Sequence, residues 1–275
     1  MTPPTLSKKT IAVIGCGQIG GSIIKRLSQL KPKITLLAHD RDRRLSARVA
    51  RHAEWVTDFN CVIDRADVVI VATPVPAIVS ILGRIATAAQ ARKPKLLVLD
   101  TGTVRQAIHA EAAEHKSRFD HIGLHPLAGA EGEGWDSSRA ELFAGKRIAV
   151  TPGIKSRLPI VCDLLKALGA IPLPMDPKTH DCFVAEAIGL PHLLAFAANG
   201  MSVENPLRAG SWESLTRVAA SNPEMVAGFL SANASEQKRA IVRFERELAR
   251  LKKSLSDRSR KAILKLLTER QRLES

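Results

Sequence analysis

A histidine followed by proline and glycines is the group in this sequence best suited to moving a proton. His125 opens the loop HPLAGAEGEG at 125–134, directly after His121–Leu124, an apolar run that is typical of a strand. In an open α/β sheet, ligands bind outside the carboxyl ends of the strands. A lone histidine is usually structural, but at such a strand end it is a candidate general base.

A glycine-rich motif near the N-terminus predicts a dinucleotide-binding turn. The motif GCGQIG at 15–20 follows a short apolar run, Thr10–Gly15, and opens a helix predicted at Gln18–Leu30. Its first glycine allows the tight turn, the second lets the backbone approach a pyrophosphate, and the third lets the helix pack closely on the strand. The free N–H groups at the helix start then point at the phosphates.

An acidic residue after the second predicted strand bears on the choice of dinucleotide. Asp40 follows Gly20 by 20 residues, and a carboxylate there accepts hydrogen bonds from ribose hydroxyls and repels a 2′-phosphate. Arginines at 41, 43 and 44 oppose this, because guanidinium groups hold a 2′-phosphate or stack on adenine. We expect NAD, with NADP as the open alternative. The expected cofactor-binding residues are Gly15, Gly17, Gln18, Ile19, Gly20, Asp40, Arg41, Thr73 and Pro74.

Apolar runs that alternate with helical patterns predict the fold that positions these groups. The predicted strands are Thr10–Gly15, Ile34–Ala38, Val68–Thr73, Leu96–Asp100, His121–Leu124, Arg147–Thr151 and Ala170–Met175. Strands that alternate with helices indicate an α/β fold with a doubly wound, Rossmann-type sheet.

The remainder of the chain is predicted to be all-helical. Asp176-Pro177 and Asn222-Pro223 each place proline at the first helical position after a capping residue. We therefore expect a dinucleotide-binding domain over 1–176 and a helical domain over 177–275.

The net charge of +14 is distributed unevenly. Between Lys238 and Ser275 there are 13 Lys/Arg and five Asp/Glu residues. Such a surface attracts nucleic acid, a membrane or a small acidic substrate. The same region has an apolar helical stripe with charges on its other faces, so we interpret it as the solvated side of a core helix. We expect a small anionic substrate, and neither nucleic acid nor a membrane, as its partner.

Cysteines and apolar segments bear on the compartment. The first nine residues lack the apolar stretch of a secretory signal, and the longest apolar segment, Val68–Leu82, is interrupted by prolines and too short to span a bilayer. The cysteines are far apart and form no C-x-x-C pair, so reduced thiols and no zinc or other metal site are expected. They are Cys16, Cys61, Cys162 and Cys182. We expect a cytoplasmic protein.

Seven motifs in order give the sequence a resemblance to a known family. The chain resembles the prephenate/arogenate dehydrogenase (cyclohexadienyl dehydrogenase) family over about Thr10 to Leu255. An HP-x-A-G-x-E loop combined with a later TR-x-A-x-x-x-P-x-M run is the most specific part. The motifs are GCGQIGGS at 15–22, DTGTVR at 100–105, HPLAGAEG at 125–132, LFAGKRIAVTP at 142–152, DPKTHD at 176–181, LPHLLA at 190–195 and LTRVAASNPEM at 215–225.

The resemblance implies roles in the first part of the chain. His125 looks like the catalytic histidine, which bonds the 4-hydroxyl of the substrate ring and takes its proton. Thr103 stands where the family usually has a catalytic serine beside that histidine, and it keeps the hydroxyl. Arg105 stands where lysine is common, and Glu131 closes the HP loop; both are expected to bind substrate.

It also implies roles in the helical part. Arg217 looks like the arginine that binds a substrate carboxylate, and His192 matches the second histidine of the family's S-H-L-P-H run. The main departure is Ile188-Gly189, where that run has Ser-His. The missing histidine leaves the substrate preference open. The family also dimerises through this region, so a homodimer is expected.

The implied reaction is the NAD(P)-dependent oxidative decarboxylation of prephenate to 4-hydroxyphenylpyruvate, or of arogenate to tyrosine, in tyrosine biosynthesis. The substrate ring carries a carboxylate, a side chain with a second carboxylate, and a 4-hydroxyl. Removing hydride from the carbon that bears the hydroxyl needs a proton acceptor, which suits histidine. Two carboxylates suit the forked donors of arginine.

Structural roles remain open for several of these residues. Arg217 could form a structural ion pair, and His192, on an apolar helix, could be a satisfied core histidine. Thr103 could cap the helix after the strand at Leu96–Asp100. We interpret His180-Asp181 as helix-dipole and capping chemistry.

Two other function classes fit part of the pattern. One is another Rossmann-plus-helical reductase acting on a small anionic acid, which would lack the HPLAGAEG loop. The other is a non-catalytic NAD sensor that binds nucleic acid through the basic C-terminal region, for which salt-dependent DNA retention would be the sign.

Overall fold

The computed structural model of the chain describes residues 1–90, 94–129, 132–151, 153–201, 208–256 and 259–272. One sheet runs through the first part of the chain. Its strands are β1 (Thr10–Ile14), β2 (Thr35–His39), β3 (Glu54–Trp55), β4 (Val68–Val71), β5 (Leu96–Asp100), β6 (Phe119–Pro126), β7 (Arg147–Thr151) and β8 (Ile171–Pro174).

Helices connect the strands and make up the rest of the chain. In the first part they are α1 (Gln18–Leu27), α2 (Ser46–Val49), α3 (Phe59–Arg65), α4 (Val75–Ala88), α5 (Gln106–Glu114) and α6 (Leu158–Leu168). After the sheet come α7 (Pro177–Val184), α8 (Leu190–Met201), α9 (Ser211–Thr216), α10 (Pro223–Ala232), α11 (Ala234–Ser256) and α12 (Arg260–Gln271). A π-helical turn, Ala185–Gly189, joins α7 to α8.

The strand order confirms the doubly wound prediction. It is β3-β2-β1-β4-β5-β6-β7-β8, and every pair is parallel except β6 with β7. From β1 the sheet is built outward in two directions, first to β2 and β3 and then to β4 and the later strands. The place between β1 and β4 is the topological switch point, where open α/β sheets bind ligands. Because β1, β2, β4, β5 and β6 are parallel, the residues that follow them meet at one edge of the sheet. The predicted ligand groups are therefore brought to one side.

Three details differ from the prediction. Strand β6 extends to Pro126, so His125 lies within this strand and does not open the loop after it. The short edge strand β3 was not predicted, because two residues, Glu54 and Trp55, are too few to show any periodicity. Helix α1 ends at Leu27 rather than Leu30, and Pro32 follows closely. Proline disfavours helical backbone in the residue before it, here Lys31, so the helix could not have run past this point, but the end at Leu27 itself is not explained by Pro32.

The two predicted proline-bearing helix starts are confirmed. The Asp176 carboxylate accepts the backbone N–H groups of Lys178 and Thr179, at 3.1 and 3.0 Å, at the start of α7. The Asn222 side chain likewise accepts the N–H groups of Glu224 and Met225, at 2.9 and 3.2 Å, at the start of α10. These caps satisfy N–H groups that have no partner within the helix.

The chain divides into two compact units. The sheet unit comprises residues 1–184 and 221–233, and the helical unit comprises 185–220 and 234–275. The expected boundary at 176/177 therefore differs from the observed units, because α7 and α10 belong to the sheet unit. Helix α10 packs on α4. The packing is close, because a Cβ on Gly228 would lie 3.2 Å from the side chain of Pro76. Such packing leaves no local signal in the sequence.

One helical run among the described residues, Pro177–Met201, is long and apolar enough by length and composition to cross a membrane. It was not singled out in the sequence because Glu186 and Pro191 interrupt its apolar character. Its first turns carry His180 and Asp181, whose side chains are buried and hydrogen-bonded inside the sheet unit. Buried polar groups with partners are typical of a core helix in a folded domain.

Candidate active site

The glycine motif forms the turn between β1 and α1. Gly15 has φ +94°, and a Cβ there would lie 2.5 Å from the carbonyl oxygen of Ala72. A Cβ on Gly20 would overlap the carbonyl oxygen of Gly15, so α1 packs directly on the strand end. Gly17 has open space at its Cβ position and caps α1 without a side chain. The approach to the first N–H groups is therefore open, which fits a pyrophosphate.

A hydroxyl without a partner lies beside this turn. Thr73, just after β4, has its Oγ1 buried with no hydrogen-bond partner in the described part of the chain. Its methyl group is 2.7 Å from the position a Cβ of Gly15 would take. Pro74 follows as the cap of α4. A buried hydroxyl without a partner lowers the stability of the folded protein by about 1–3 kcal/mol. A polar ligand bound here could form the missing hydrogen bond.

The Asp40 carboxylate lies at the end of β2, against the glycine turn. One of its oxygens accepts the N–H of Cys16 at 2.6 Å, and the other accepts the N–H of Asp42 at 2.8 Å. Arg44 donates to Asp42 through Nε and Nη2, at 2.8 and 2.9 Å, so its fork is already occupied. Arg41 is exposed. Of the three arginines that favoured a 2′-phosphate, Arg44 is thus already paired with Asp42.

A side chain of the glycine motif contacts the loop that follows the candidate base. Gln18 Nε2 donates to the carbonyl oxygen of Gly132 at 3.0 Å, and its Oε1 lies 4.0 Å from the Cβ position of Gly129. Gly132 has φ +96°, a conformation that favours glycine. The loop after His125 is therefore held against the start of α1.

His125 lies near the end of β6 and is 6% exposed. Its Nδ1 is 2.9 Å from Nε2 of His180. Burial, and then the neighbouring His180 and Arg105, lower the pKa of His125 to about 3, against an opposing effect of Asp100. The imidazole is therefore neutral at physiological pH, and one of its nitrogens carries a lone pair that can accept a proton.

Helix α7 supplies the partner of this histidine. His180 Nδ1 lies 2.9 Å from Asp181 Oδ1, and the Asp181 carboxylate accepts the N–H groups of Arg105 and Gln106 at 2.7 and 2.8 Å. The sequence interpretation assigned these two residues to the start of their own helix, but Asp176 caps that helix and Asp181 instead caps α5. The interpretation missed the contact of His180 with His125, because only the packing of α7 on α5 brings them together.

The expectation that Arg105 binds substrate is corrected by its burial. Its side chain is 0% exposed, and it donates to Asp100 Oδ2 at 3.0 Å, to Asp100 Oδ1 at 2.5 Å and to the carbonyl oxygens of Gly102 and Val104. Four of the five N–H donors of the guanidinium are therefore used. A Cβ on Gly123 would overlap the guanidinium, which explains a glycine within β6. Through these hydrogen bonds the buried Arg105 side chain stabilises the loop between β5 and α5.

Asp100 is the centre of this buried polar cluster. It accepts from Arg105, from His121 Nε2 at 2.8 Å and from the N–H of Gly102 at 2.8 Å. Burial alone would raise the pKa of Asp100, but Arg105 and His121 hold it well below its usual range. A fully paired buried carboxylate fixes the loop that leads from β5 to α5.

Thr103 lies in that loop and is partly buried. Its hydroxyl makes no hydrogen bond with the residues the structure describes, and it does not cap α5, whose first N–H groups go to Asp181. Strands β5 and β6 pair in parallel, with Asp100 opposite Gly123, so Thr103 follows the end of β5 and His125 lies near the end of β6. Its placement agrees with a hydroxyl at the site edge.

The helical unit carries the other expected substrate residues. His192 is partly buried on α8, and its Nδ1 lies 2.8 Å from the carbonyl oxygen of Ile188, so Nδ1 holds the hydrogen. Arg217 follows α9; it is exposed and forms no ion pair within the described ranges, so the structural ion-pair interpretation finds no support. Glu131 lies outside the described residues.

At Gly189, where the family's run has histidine, a neighbouring side chain fills the space next to the glycine. A Cβ on Gly189 would overlap the side-chain amide of Gln237 on α11. Gln237 is 4% exposed, and neither atom of its amide group has a hydrogen-bond partner among the described residues. Gly189 ends the π-helical turn, a feature often found at functional sites. A glutamine amide therefore occupies the space into which a larger side chain at 189 would project.

The fold and this site together define a class of protein. A glycine turn with uncapped N–H groups lies at the switch point of a doubly wound sheet, and a buried neutral histidine lies at the same edge. These are the parts of a Rossmann-type, dinucleotide-dependent oxidoreductase.

Two family models extend this to nearly the whole chain. Residues 23–171 match the prephenate dehydrogenase nucleotide-binding domain, and residues 176–269 match the prephenate dehydrogenase dimerization domain. The chain belongs to the prephenate dehydrogenase family. The resemblance recognised in the sequence is thereby confirmed.

Individual relatives agree with the family. The cyclohexadienyl dehydrogenase of Zymomonas mobilis is 28% identical, over 96% of this chain and 94% of that protein. The solved structure of Aquifex aeolicus prephenate dehydrogenase in complex with hydroxyphenyl propionate and NAD⁺ is 26% identical, has a TM-score of 0.88, and covers 98% of this chain and 99% of its own. Arogenate dehydrogenase of Synechocystis shares the fold, at 22% identity and a TM-score of 0.78 over 94% of this chain and 96% of that one.

Proposed function

We propose that this chain catalyses the NAD-dependent oxidative decarboxylation of prephenate, arogenate or both, in the cytoplasm, as a step of tyrosine biosynthesis. The observation that carries the proposal is His125, a buried, neutral histidine whose loop is held against the glycine turn by Gln18. A proton acceptor next to a dinucleotide site is what oxidation of an alcohol requires.

His125 would act on the 4-hydroxyl of the substrate ring. NAD, when bound, accepts the hydride that leaves the carbon bearing this hydroxyl. As that carbon becomes a carbonyl carbon, His125 takes the hydroxyl proton. The bond from the ring to its carboxylate then breaks, its electrons make the ring aromatic, and CO₂ leaves. The ring oxygen takes the proton back, so the proton is borrowed and no net proton is released.

Thr103 and Arg217 would orient the substrate. The Thr103 hydroxyl has no partner among the described residues and can donate to, or accept from, a ligand. Arg217 is exposed, and its fork has no carboxylate partner in the described part of the chain. A substrate with two carboxylates would supply one. The net charge of +14 would raise the local concentration of such an anion.

One experiment tests the proposal as a whole. The reduction of NAD and of NADP should be measured with prephenate and, separately, with arogenate. Turnover of at least one substrate with at least one cofactor is expected, and the four kcat/KM values give both preferences. Absence of turnover in all four combinations, with dinucleotide binding intact, would contradict the function.

NAD should be used with a higher kcat/KM than NADP. The Asp40 carboxylate lies where it would repel a 2′-phosphate, and Arg44 is tied to Asp42. Asp40→Ser should narrow the gap, because it removes the repulsion. Asp163→Ser, on α6, is the matched control and should leave the ratio unchanged. A wild-type preference for NADP would show that the remaining arginines dominate.

The chain should be a homodimer that associates through the helical unit. Four leucines of α11 and α12 each expose more than half of their surface, and exposed apolar surface of this kind is typical of interfaces. They are Leu248, Leu255, Leu264 and Leu267. Light scattering at micromolar concentration should give twice the chain mass, and Leu264→Glu with Leu267→Glu should reduce it. Ile171→Glu, an exposed apolar position of the sheet unit, is the control. A wild-type mass of one chain would refute the dimer.

A further inference from the structure

Three buried side chains of the sheet unit form a continuous hydrogen-bonded chain that ends at the candidate base. His125 Nδ1 lies 2.9 Å from His180 Nε2, and His180 Nδ1 lies 2.9 Å from Asp181 Oδ1. The three residues are 6%, 3% and 1% exposed. The two imidazole rings meet edge to face, with centroids 5.1 Å apart. Water therefore does not compete for these hydrogen bonds.

The positions of the protons follow from the end of the chain. A carboxylate only accepts hydrogen bonds, and Asp181 already accepts the N–H groups of Arg105 and Gln106. His180 must therefore donate to Asp181 from Nδ1. When His180 carries this single ring hydrogen, its lone pair is on Nε2 and accepts, so His125 donates from Nδ1. The lone pair of His125 is left on Nε2.

We propose that His180 and Asp181 are positioning residues that hold His125 in the tautomer with hydrogen on Nδ1 and a free lone pair on Nε2. In this tautomer Nε2 is the proton acceptor, while the ring is fixed through Nδ1. The role in catalysis rests on the proposed function; the tautomer itself does not. A wrong tautomer would present an N–H, which cannot take a proton from a hydroxyl.

During turnover the same chain lets the positive charge move away from His125, whose own charged form is disfavoured by burial. When His125 has taken the substrate proton, its Nδ1–H points at the lone pair of His180, whose other nitrogen is bonded to a carboxylate. Transfer of the Nδ1 proton to His180 Nε2 places the positive charge next to Asp181 and returns a lone pair to His125 Nδ1. No atom is lost in this step, and the reverse transfer restores the starting state.

A buried hydrogen-bonded chain suits this reaction. The proposed chemistry borrows one proton from the 4-hydroxyl and returns it to the same oxygen, so nothing has to reach solvent. His180 and Asp181 need only hold charge for the lifetime of the intermediate. A low local dielectric makes a carboxylate at the end of the chain more effective than it would be in water.

Variants of His180, rather than of Asp181, can distinguish a positioning role from a structural one. Asp181 caps α5, so its removal would also disturb the loop that contains Thr103. His180 makes no backbone cap; the start of its own helix is capped by Asp176. His180→Leu therefore removes the link with little direct effect on the caps, and His180→Gln keeps an acceptor and a donor in one side chain.

The test uses the full chain labelled with ¹⁵N-histidine. Without substrate, the ring nitrogens of His125 in the wild type should show hydrogen on Nδ1 and none on Nε2. In His180→Leu the Nε2–H form should become populated. With substrate and NAD, kcat of this variant should fall by roughly 10²- to 10⁴-fold, the range in which a mispositioned catalytic histidine lies, while both KM values change little. His180→Gln should recover part of the loss.

His109→Gln is the matched control. His109 is a partly buried histidine of the same unit, bonded through Nε2 to Thr151 Oγ1 at 2.7 Å. It should keep the wild-type His125 tautomer and kcat. Melting temperatures of all variants show whether a loss of kcat reflects unfolding.

Two outcomes would overturn the proposal. One is a wild-type His125 with hydrogen on Nε2, which is decided without any variant. The other is a folded His180→Leu chain with the wild-type tautomer and wild-type kcat. If the wild type turned over neither substrate, the proposed function would fail, but the tautomer measurement would still decide the positioning role.

Discussion

Replacing His125 with asparagine should lower kcat by about 10²- to 10⁴-fold and leave KM for the substrate nearly unchanged. The reason is that in the proposed mechanism His125 acts on a proton that moves only as the hydride departs. Its contribution therefore arises mainly in the transition state. Asparagine keeps a polar side chain of similar reach but offers no basic nitrogen. Steady-state kinetics with the better substrate and cofactor measure both constants.

The control for this variant is His115→Asn. His115 is a partly exposed histidine of the sheet unit that pairs with Glu111 at 2.9 Å, and its loss should leave kcat unchanged. NAD binding by His125→Asn should also match the wild type, because His125 does not belong to the glycine turn. Turnover of His125→Asn near the wild-type rate would remove the proposed mechanism.

Replacing Arg217 with alanine should instead raise the apparent KM for the substrate by some 30-fold or more. Arg217 is proposed to hold a carboxylate that is present in both the ground state and the transition state, so its loss weakens both equally. Removing one partner of a desolvated charge pair costs about 2–5 kcal/mol. At about 1.4 kcal/mol per tenfold change, the low end of that range corresponds to roughly 30-fold.

Arg217→Lys and Arg246→Ala complete the experiment. Lysine keeps the charge but not the forked donors, so its KM should lie between those of the wild type and the alanine variant. Arg246 is another exposed arginine of the helical unit, on α11, and its removal tests the effect of net charge alone. An Arg217→Ala chain with wild-type KM, or an equal effect of Arg246→Ala, would assign the carboxylate to another residue.

Local patterns along the chain were sufficient to predict several parts of this protein. The glycine motif, the alternating strands and helices, and the two proline-bearing helix starts are each set by neighbours within a few residues, because turn geometry, periodicity and capping are local. The ordered motifs also indicated the family. His125 was identified as a candidate base in this way, because the end of a strand is a local feature and the fold class predicts that ligands bind there.

The surroundings of those residues depend on contacts between distant parts of the chain. Arg105, expected at the substrate, is buried against Asp100, because the guanidinium fits the space that Gly123 leaves in a neighbouring strand. His180 contacts His125 across 55 residues of chain. Contacts between distant segments depend on how helices pack on a sheet, which no spacing along the chain encodes. The sequence therefore indicated His125 as the candidate base, and the packing of α7 placed His180 against it.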